Sequence, residues 1–441
     1  MSKLILILSL FLSINTFANS TYNVKDYGAT GNGKTLDHTA INRAIDAAAT
    51  NGGGQVILPA GTYLCGSIRL KSNIDLHLSA GAKILAAPAS MKAYDESEVF
   101  GAPEYQDGGH TYFHNSLIWA ESQQNVSITG MGMIDGEGLT KRDTEKAGNV
   151  QGGSIGTGDK AIALKLCRNI TIRDITIYRG GHFAIIITGC EIGTIDNVTI
   201  DTNRDGIDID CCKYLTVSNT KVNTPNDDAI VLKSSYALKK PVPCEHITIT
   251  NCIVTGYKLG TFLDGTYIPE KVNWVCGRIK LGTESNGGYR NIAISNCTCM
   301  WSSGLAFEEV DQGRMENIVV SNISLEHVHH YPIYITTGCR NRGPKEHTDI
   351  SYGGNISLSN IHLQYRGGGQ PYPTDKTYRE QGTNYPEPRW AGPTPAYGIY
   401  ARHVDGLNLS HIRMETIKPD GRPAILFEDV KNERMDDVQP N

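Results

Sequence analysis

Residues 169–177, Asn-Ile-Thr-Ile-Arg-Asp-Ile-Thr-Ile, decide the fold. Counted from Ile170, apolar side chains fall at positions 0, +2, +5 and +7, so two short period-two strands are joined by a two-residue bend. The same frame starts again at Val126, Gly193, Leu215, Ile247, Ile292, Ile318, Ile356 and Leu407. Starts at 170, 193 and 215 are 23 and 22 residues apart, and 292 and 318 are 26 apart. The wider gaps of 32 to 51 residues leave room for inserted loops.

A strand pair repeated at that interval is one turn of a parallel β-helix, in which each coil buries its apolar face only by stacking on the next. Position +4 is Asn197, Asn219, Asn251, Asn296, Asn322 and Asn360, with Asp174 and His411 as exceptions. Asparagine tolerates the left-handed backbone of a bend, and stacking would align these amides in a ladder. Cys167, Cys190, Cys212 and Cys244 each lie three residues before a frame start, and Cys252 and Cys297 sit at +5. Stacked thiols predict buried packing more than a disulfide framework, and an odd count of 11 leaves at least one unpaired. The expected fold is all-β, a right-handed parallel β-helix with an N-terminal capping helix. Its 47 glycines suit a turn-rich β protein.

Residues 1–18 carry Lys3, an apolar run from Leu4 to Leu12 and the small-residue ending Thr16-Phe17-Ala18, which reads as a cleavable signal peptide. The expected organisation is therefore a signal at 1–18, a single β-helix catalytic domain at 19–441, and a secreted or periplasmic protein. The formal net charge of −5 gives no general attraction to nucleic acid or an anionic membrane, so neither is an expected partner. Gly28-Ala29-Thr30-Gly31-Asn32-Gly33-Lys34-Thr35 matches the phosphate-loop pattern, but the preceding Tyr22–Tyr27 makes a poor buried strand. A glycine-rich turn is the expected reading. It leads into a helix at Thr39–Ala49, with Asp37 near its start and Ile41, Ala44, Ile45 and Ala48 on one face.

Three carboxylates stand beside strand-like runs: Asp205 before Gly206–Asp210, and Asp227 and Asp228 before Ala229–Lys233. Counting from the frame starts matches Asp205 with Asp227, whereas aligning the strands matches it with Asp228 and Asn203 with Asn226. Either register groups all three on one face. Like charges that close raise one another's pKa, which suits glycoside hydrolysis, where one acid keeps a proton and others activate water. A solvated cluster and a calcium site are the alternatives.

Asn203-Arg204-Asp205-Gly206-Ile207-Asp208-Ile209, followed by Asn226-Asp227-Asp228-Ala229-Ile230-Val231-Leu232-Lys233-Ser234, resembles the polygalacturonase family of glycoside hydrolases, family 28. The likeness runs from about Tyr22 to Asp429. It implies an inverting hydrolase acting on pectin without a cofactor or metal. It makes Asp227 the general acid and gives Asp205 and Asp228 the water, leaving the choice of acid between 227 and 228 open. Three departures stand out: Arg204 replaces the family's threonine, Gly277 stands at its histidine, and its Arg-Ile-Lys coil reads Gly304 to Glu309 here. Arg278-Ile279-Lys280 spells that tripeptide on another coil. Rhamnogalacturonan-type or exo-acting members therefore fit better than endo-polygalacturonases.

The residues expected to hold an oligosaccharide or polysaccharide are Asn203, Arg204, Lys233, His182, Arg278, Lys280 and Glu308, with Arg340 and Arg342 as further cations. Loops interrupt the repeat at Val254–Gly277 and at Tyr365–Ile399, the second rich in Pro, Gly and Tyr and containing Trp390. Closing one end of the groove would favour removal of terminal sugars. A β-helix lyase and a non-catalytic glycan-binding β-helix are the rival functions.

Overall fold

The repeat frame is the rung of the solenoid. The computed structural model describes residues 20–140, 155–271, 274–344, 349–373, 382–388 and 392–440; the signal stretch at 1–18 and Trp390 lie outside them. Val126, Ile170, Gly193, Leu215, Ile247, Ile292, Ile318, Ile356 and Leu407 pair in that order through parallel ladders, so every frame start sits directly above the last. Thirty-one strands join one sheet. The stack also extends N-terminally of the frame, because Ile74 pairs with both Gly54 and Val126.

The bend at +4 has positive φ in every coil of the frame, from 50° at Asn197 to 65° at Asp174, with Gly130 of the first at 111°. Asn322 donates to Asn296 at 3.0 Å and Asn360 to Asn322 at 3.1 Å, giving the amide ladder its expected form. A second ladder runs one residue before the frame start, where Asn169 donates to Asn125 and Asn317 to Asn291. All 11 cysteines are free thiols, ten of them buried.

The helix spans His38–Thr50 and buries Ala40, Ile41, Ala44, Ile45 and Ala48 against the first coil. Asp37 occupies its N-cap position, but its carboxylate accepts the amides of Thr30 and Gly31 at 2.6 and 2.9 Å. The loop's own acid thus takes the donors that a phosphate would need. The segment then runs as a strand, Asn32–Leu36, paired to Gly61–Cys65.

Each coil carries a third strand that the frame does not include. Phe183–Thr188, Asp205–Asp210, Ile230–Ser234, Ile279–Ser285, Leu305–Glu309 and Ile333–Thr337 stack in that order. Ile185, Ile207, Ile230, Ile279, Leu305 and Ile333 form the inward row and are fully buried. The alternate row, Ile186, Asp208, Val231, Lys280, Ala306 and Tyr334, is buried as well. A sheet face hidden from water on its outer side must be covered: Phe113 packs with Ile186, His110 stands against Asp208, and Trp274 and Tyr372 pack against the cluster of Ala306 and Tyr334.

Ile294 sits in the frame column between Ile249 and Val320 and has no exposure. Ile294→Ala should lower the unfolding free energy in urea by about 3 kcal/mol, through lost transfer energy and the cavity left between two rungs.

Candidate active site

Register decides which acids meet. Ile207 pairs with Ile230, which places Asp205 beside Asp228 and Arg204 beside Asp227, the second of the two registers. Asn226 donates to Asn203 at 2.5 Å, as that alignment requires. Phe183 pairs with Asp205, so His182 lies one coil below Arg204. Arg204 consequently bridges two coils: its Nη2 is 3.0 Å from Asp227 Oδ2 and 3.4 Å from His182 Nε2. Gly206 follows Asp205 because a Cβ there would lie 2.4 Å from the Ala229 carbonyl oxygen.

The three carboxylates differ in exposure and in charge partners. Asp227 keeps 25% of its side chain exposed, against 5% for Asp205 and 4% for Asp228. Burial and the neighbouring charge of Asp227 push the Asp205 carboxyl well above the usual carboxylate range. Asp227 is also raised, by burial and by Asp228, although Arg204 pulls it down. Asp228 behaves in the opposite way. Burial alone would raise it, but Arg278 and Lys280 outweigh burial and hold it at about 2. Arg278 Nε bonds Asp228 Oδ1, and Lys280 Nζ stands 3.8 Å from Oδ2. One acid is thereby fixed as an anion beside two whose pKa burial raises.

Arg278 and Lys280 sit on the coil directly after Asp228, since Ile230 pairs with Ile279. They are buried, and both also bond Glu387, while Lys280 pairs with Glu308 at 3.2 Å. Lys233 is likewise buried, 2.8 Å from Glu284. Burial raises Glu284, but Lys233 and Arg340 overcome it and hold that acid far below its usual range. Arg340 bonds Asp311 through Nε at 2.8 Å, and the Arg342 carbonyl accepts from Asn286. Of the expected binding residues, Asn203, Arg204 and His182 therefore group around Asp227, whereas Lys233, Arg278, Lys280 and Glu308 form a buried ionic layer beside it. Gly277, at the family's histidine position, has φ 61° and would place a Cβ 2.5 Å from the Thr255 carbonyl oxygen, so this coil has no room for a side chain.

The sequence reading passed over several residues of this layer. Glu387 and Tyr385 lie in the second interruption, where one of three scattered acids among Pro, Gly and Tyr gave no signal of its own. Asp208 and Asp210 were visible as alternate residues of the Asp205–Asp210 strand. Both face His110, which is fully buried 3.7 Å from Asp208 and 3.6 Å from Asp210. Burial pushes Asp208 up to about 7 against the pull of His110 and Lys233.

Asp227, Asp228 and Cys276 bring three potential ligand atoms within 4.8 Å of one another. The donor set fits a metal poorly. Arg278 already takes Asp228, and burial keeps Cys276 a protonated thiol, which lies 3.4 Å from Asp228 Oδ1.

Residues 21–258 match the family described as rhamnogalacturonase A/epimerase, pectate lyase-like. An exopolygalacturonase of Platanus acerifolia is 23% identical over 397 residues, which are 80% of this chain and 93% of that protein. Plasmin and fibronectin-binding protein A of Streptococcus pneumoniae is 36% identical over 192 residues, 43% of this chain and 24% of that one. Among solved structures, a hyperthermoactive exopolygalacturonase from Thermotoga maritima aligns with a TM-score of 0.65 at 19% identity, over 95% of this chain and 92% of that one.

Because the Asp228 pKa is depressed, its ion pair stabilises the fold above the unfolded pKa, near 4, and that stability is lost as pH falls toward 2. Asp228→Asn leaves the buried Arg278 with only Glu387, which it shares with Lys280, and should cost about 3 kcal/mol at pH 7. The gap between wild-type and variant in urea unfolding should narrow as pH is lowered from 4 to 2.

Proposed function

Since the chain belongs to the rhamnogalacturonase A/epimerase, pectate lyase-like family, we propose that it is a glycoside hydrolase that cleaves α-galacturonosyl-type linkages of pectic polysaccharide from a chain end, with inversion. The observation that carries this reading is the split among the three acids: Asp228 held ionised, Asp205 and Asp227 held toward their protonated forms. Hydrolysis needs both states within one site.

Asp227, the most exposed of the three, gives its proton to the departing glycosidic oxygen. Asp205 and Asp227 strongly influence each other, so a proton resting on Asp227 favours ionised Asp205. Asp205 is then the stronger base of the remaining pair, because Asp228 is weakened by Arg278 and Lys280. Asp228 orients the water, and Asp205 removes its proton as oxygen attacks the anomeric carbon. Arg204 steadies the Asp227 carboxylate after it has donated, and the site resets when the proton that Asp205 took from water is released to solvent and Asp227 takes one up. His182, stacked on Phe183 with ring centroids 4.3 Å apart, fixes the far side of Arg204.

Exo action is supported by residues of the second interruption that lie against the coil after Asp228. Tyr385 and Glu387 cover the cations one coil beyond Asp228, leaving less room for a polymer to pass. The exopolygalacturonase relatives agree with this direction. The likeness to a protein named for binding plasmin and fibronectin favours a binding β-helix without turnover as the second reading, and calls for the same experiment.

Mature protein incubated with homogalacturonan and with rhamnogalacturonan should release a terminal sugar first, with slow loss of viscosity and an inverted anomer by proton NMR. Asp227→Asn should lower kcat by about 10³-fold while the fold is retained. Activity should fall on the alkaline side as the shared proton of Asp205 and Asp227 leaves. An unsaturated product would assign a lyase instead, and binding without any product would assign the non-catalytic glycan-binding reading.

A further inference from the structure

Trp301 and Trp274 anchor a row of rings on the edge that leads into the third strands. His327 stacks on Trp301 with ring centroids 4.4 Å apart and planes 11° from parallel, and His329 lies 6.0 Å from the same indole. His330, 6.2 Å from His329, stacks on Trp274 at 4.0 Å, and Trp274 lies 5.8 Å from Tyr331. There the row meets the acids, because Arg278 donates both to the Tyr331 hydroxyl and to Asp228. Tyr331 is buried, whereas the five outer rings are only half-buried, His327 keeping 35% of its side chain exposed.

The coils place this row over the acid pocket. Cys276 N donates to the Pro225 carbonyl at 2.9 Å, Ser303 N to the Cys276 carbonyl at 2.7 Å and His329 N to the Ser302 carbonyl at 2.8 Å, so the segments that carry Trp301 and His329 stack on the one that carries Asp227. The coil on the other side of the acids is occupied, with Asp107 3.8 Å from His182 and His110 over Asp208 and Asp210. The outer face of the following coils is occupied too, by Tyr385 and Glu387 against Lys280. A polymer whose end reaches the acids is left the edge where the rings stand.

Rings of this kind suit a pyranose chain, since their flat apolar faces match the C–H faces of sugars while the indole and imidazole nitrogens meet hydroxyl groups. Burial, Arg366 and His327 lower His329 to about 4, which leaves its ring uncharged at neutral pH. Arg366 is exposed beside it, Nη1 3.3 Å from His329 Nδ1, and offers a cation to a sugar carboxylate.

We propose that this row is a binding track, outside the catalytic pocket, for the pyranose chain of an acidic polysaccharide that continues past the bond being cleaved. It rests on the hydrolase reading above and adds a second site to it.

Chains of two and six α-linked galacturonates test this. KM of wild-type protein should fall at least fivefold from the shorter to the longer. Trp301→Ala should abolish that gain, which is about one aromatic contact in size, while kcat/KM for the two-sugar chain stays unchanged. Tyr214→Ala breaks a comparable stack with His246, centroids 5.0 Å apart, on a bend outside the row and should keep the gain. No gain in wild-type, an equal gain in Trp301→Ala or a lost gain in Tyr214→Ala would overturn the proposal. An equal loss by Trp301→Ala on both chains would overturn it as well, by marking a structural role. If neither chain is cut, the hydrolase reading has failed on this substrate and binding decides: the six-sugar chain should quench the tryptophan fluorescence of wild-type and bind Trp301→Ala at least fivefold more weakly, whereas equal affinities or no binding sink the track. Should Trp301→Ala fail to fold, His327→Ala takes its place in each comparison. Should both fail, wild-type quenching by the six-sugar chain at concentrations where the two-sugar chain gives none supports the track, and equal quenching by the two overturns it.

Discussion

Stacking at one strand spacing per coil, about 4.8 Å, is the constraint on which the molecule depends. It forces each side chain against its counterpart one rung away, whatever the sequence distance between them. Along the core this yields columns of isoleucine and leucine that exclude water. On the outward face of the third strand it yields contacts that no isolated segment could hold, such as Arg204 lodged between His182 and Asp227. The same rule leaves no choice at Gly206 and Gly277, where the adjacent coil's backbone fills the space of a Cβ.

Charges inside that stack survive only in pairs. Arg278, Lys280, Lys233 and Arg340 are all buried, and each meets at least one carboxylate. Such pairs add little net stability over an apolar core, yet removing one partner exposes the full desolvation cost of the other. Their effect on the acids is more specific than their effect on the fold. The cations of the following coil outweigh burial at Asp228, whereas at Asp205 and Asp227 burial outweighs the pull of Lys233 and Arg204, and this asymmetry separates the three proton affinities.

The β-helix was legible because its signal is repeated: one frame, met nine times, fixes register, bends and the cysteine columns together. The acids were legible for the same reason, although the frame alone left two registers open until the third strand showed Asp205 beside Asp228. Cations could be named but not their partners. Lys233 and Lys280 read as free to meet a substrate, and Glu284, Glu308 and Glu387 take them instead. Glu387 belongs to a loop with no periodicity, so its placement depends on tertiary packing through Tyr334 and Arg278. His110 was hidden in the same way, in a short turn, Gly108–His110, that only the folded chain lays over Asp208.

The free thiols give the molecule an uneven relation to oxidants. Folded, it has ten of its 11 thiols packed away from solvent, with burial pushing those such as Cys190 and Cys276 away from the reactive thiolate. Reductants have no cross-link to cut among them. Unfolded, the same chain presents 11 nucleophiles at once, each free to cross-link with a wrong neighbour. Heat or denaturant in air would therefore be far harder to reverse than the same treatment with a thiol present, a vulnerability of the open chain that the closed one does not show.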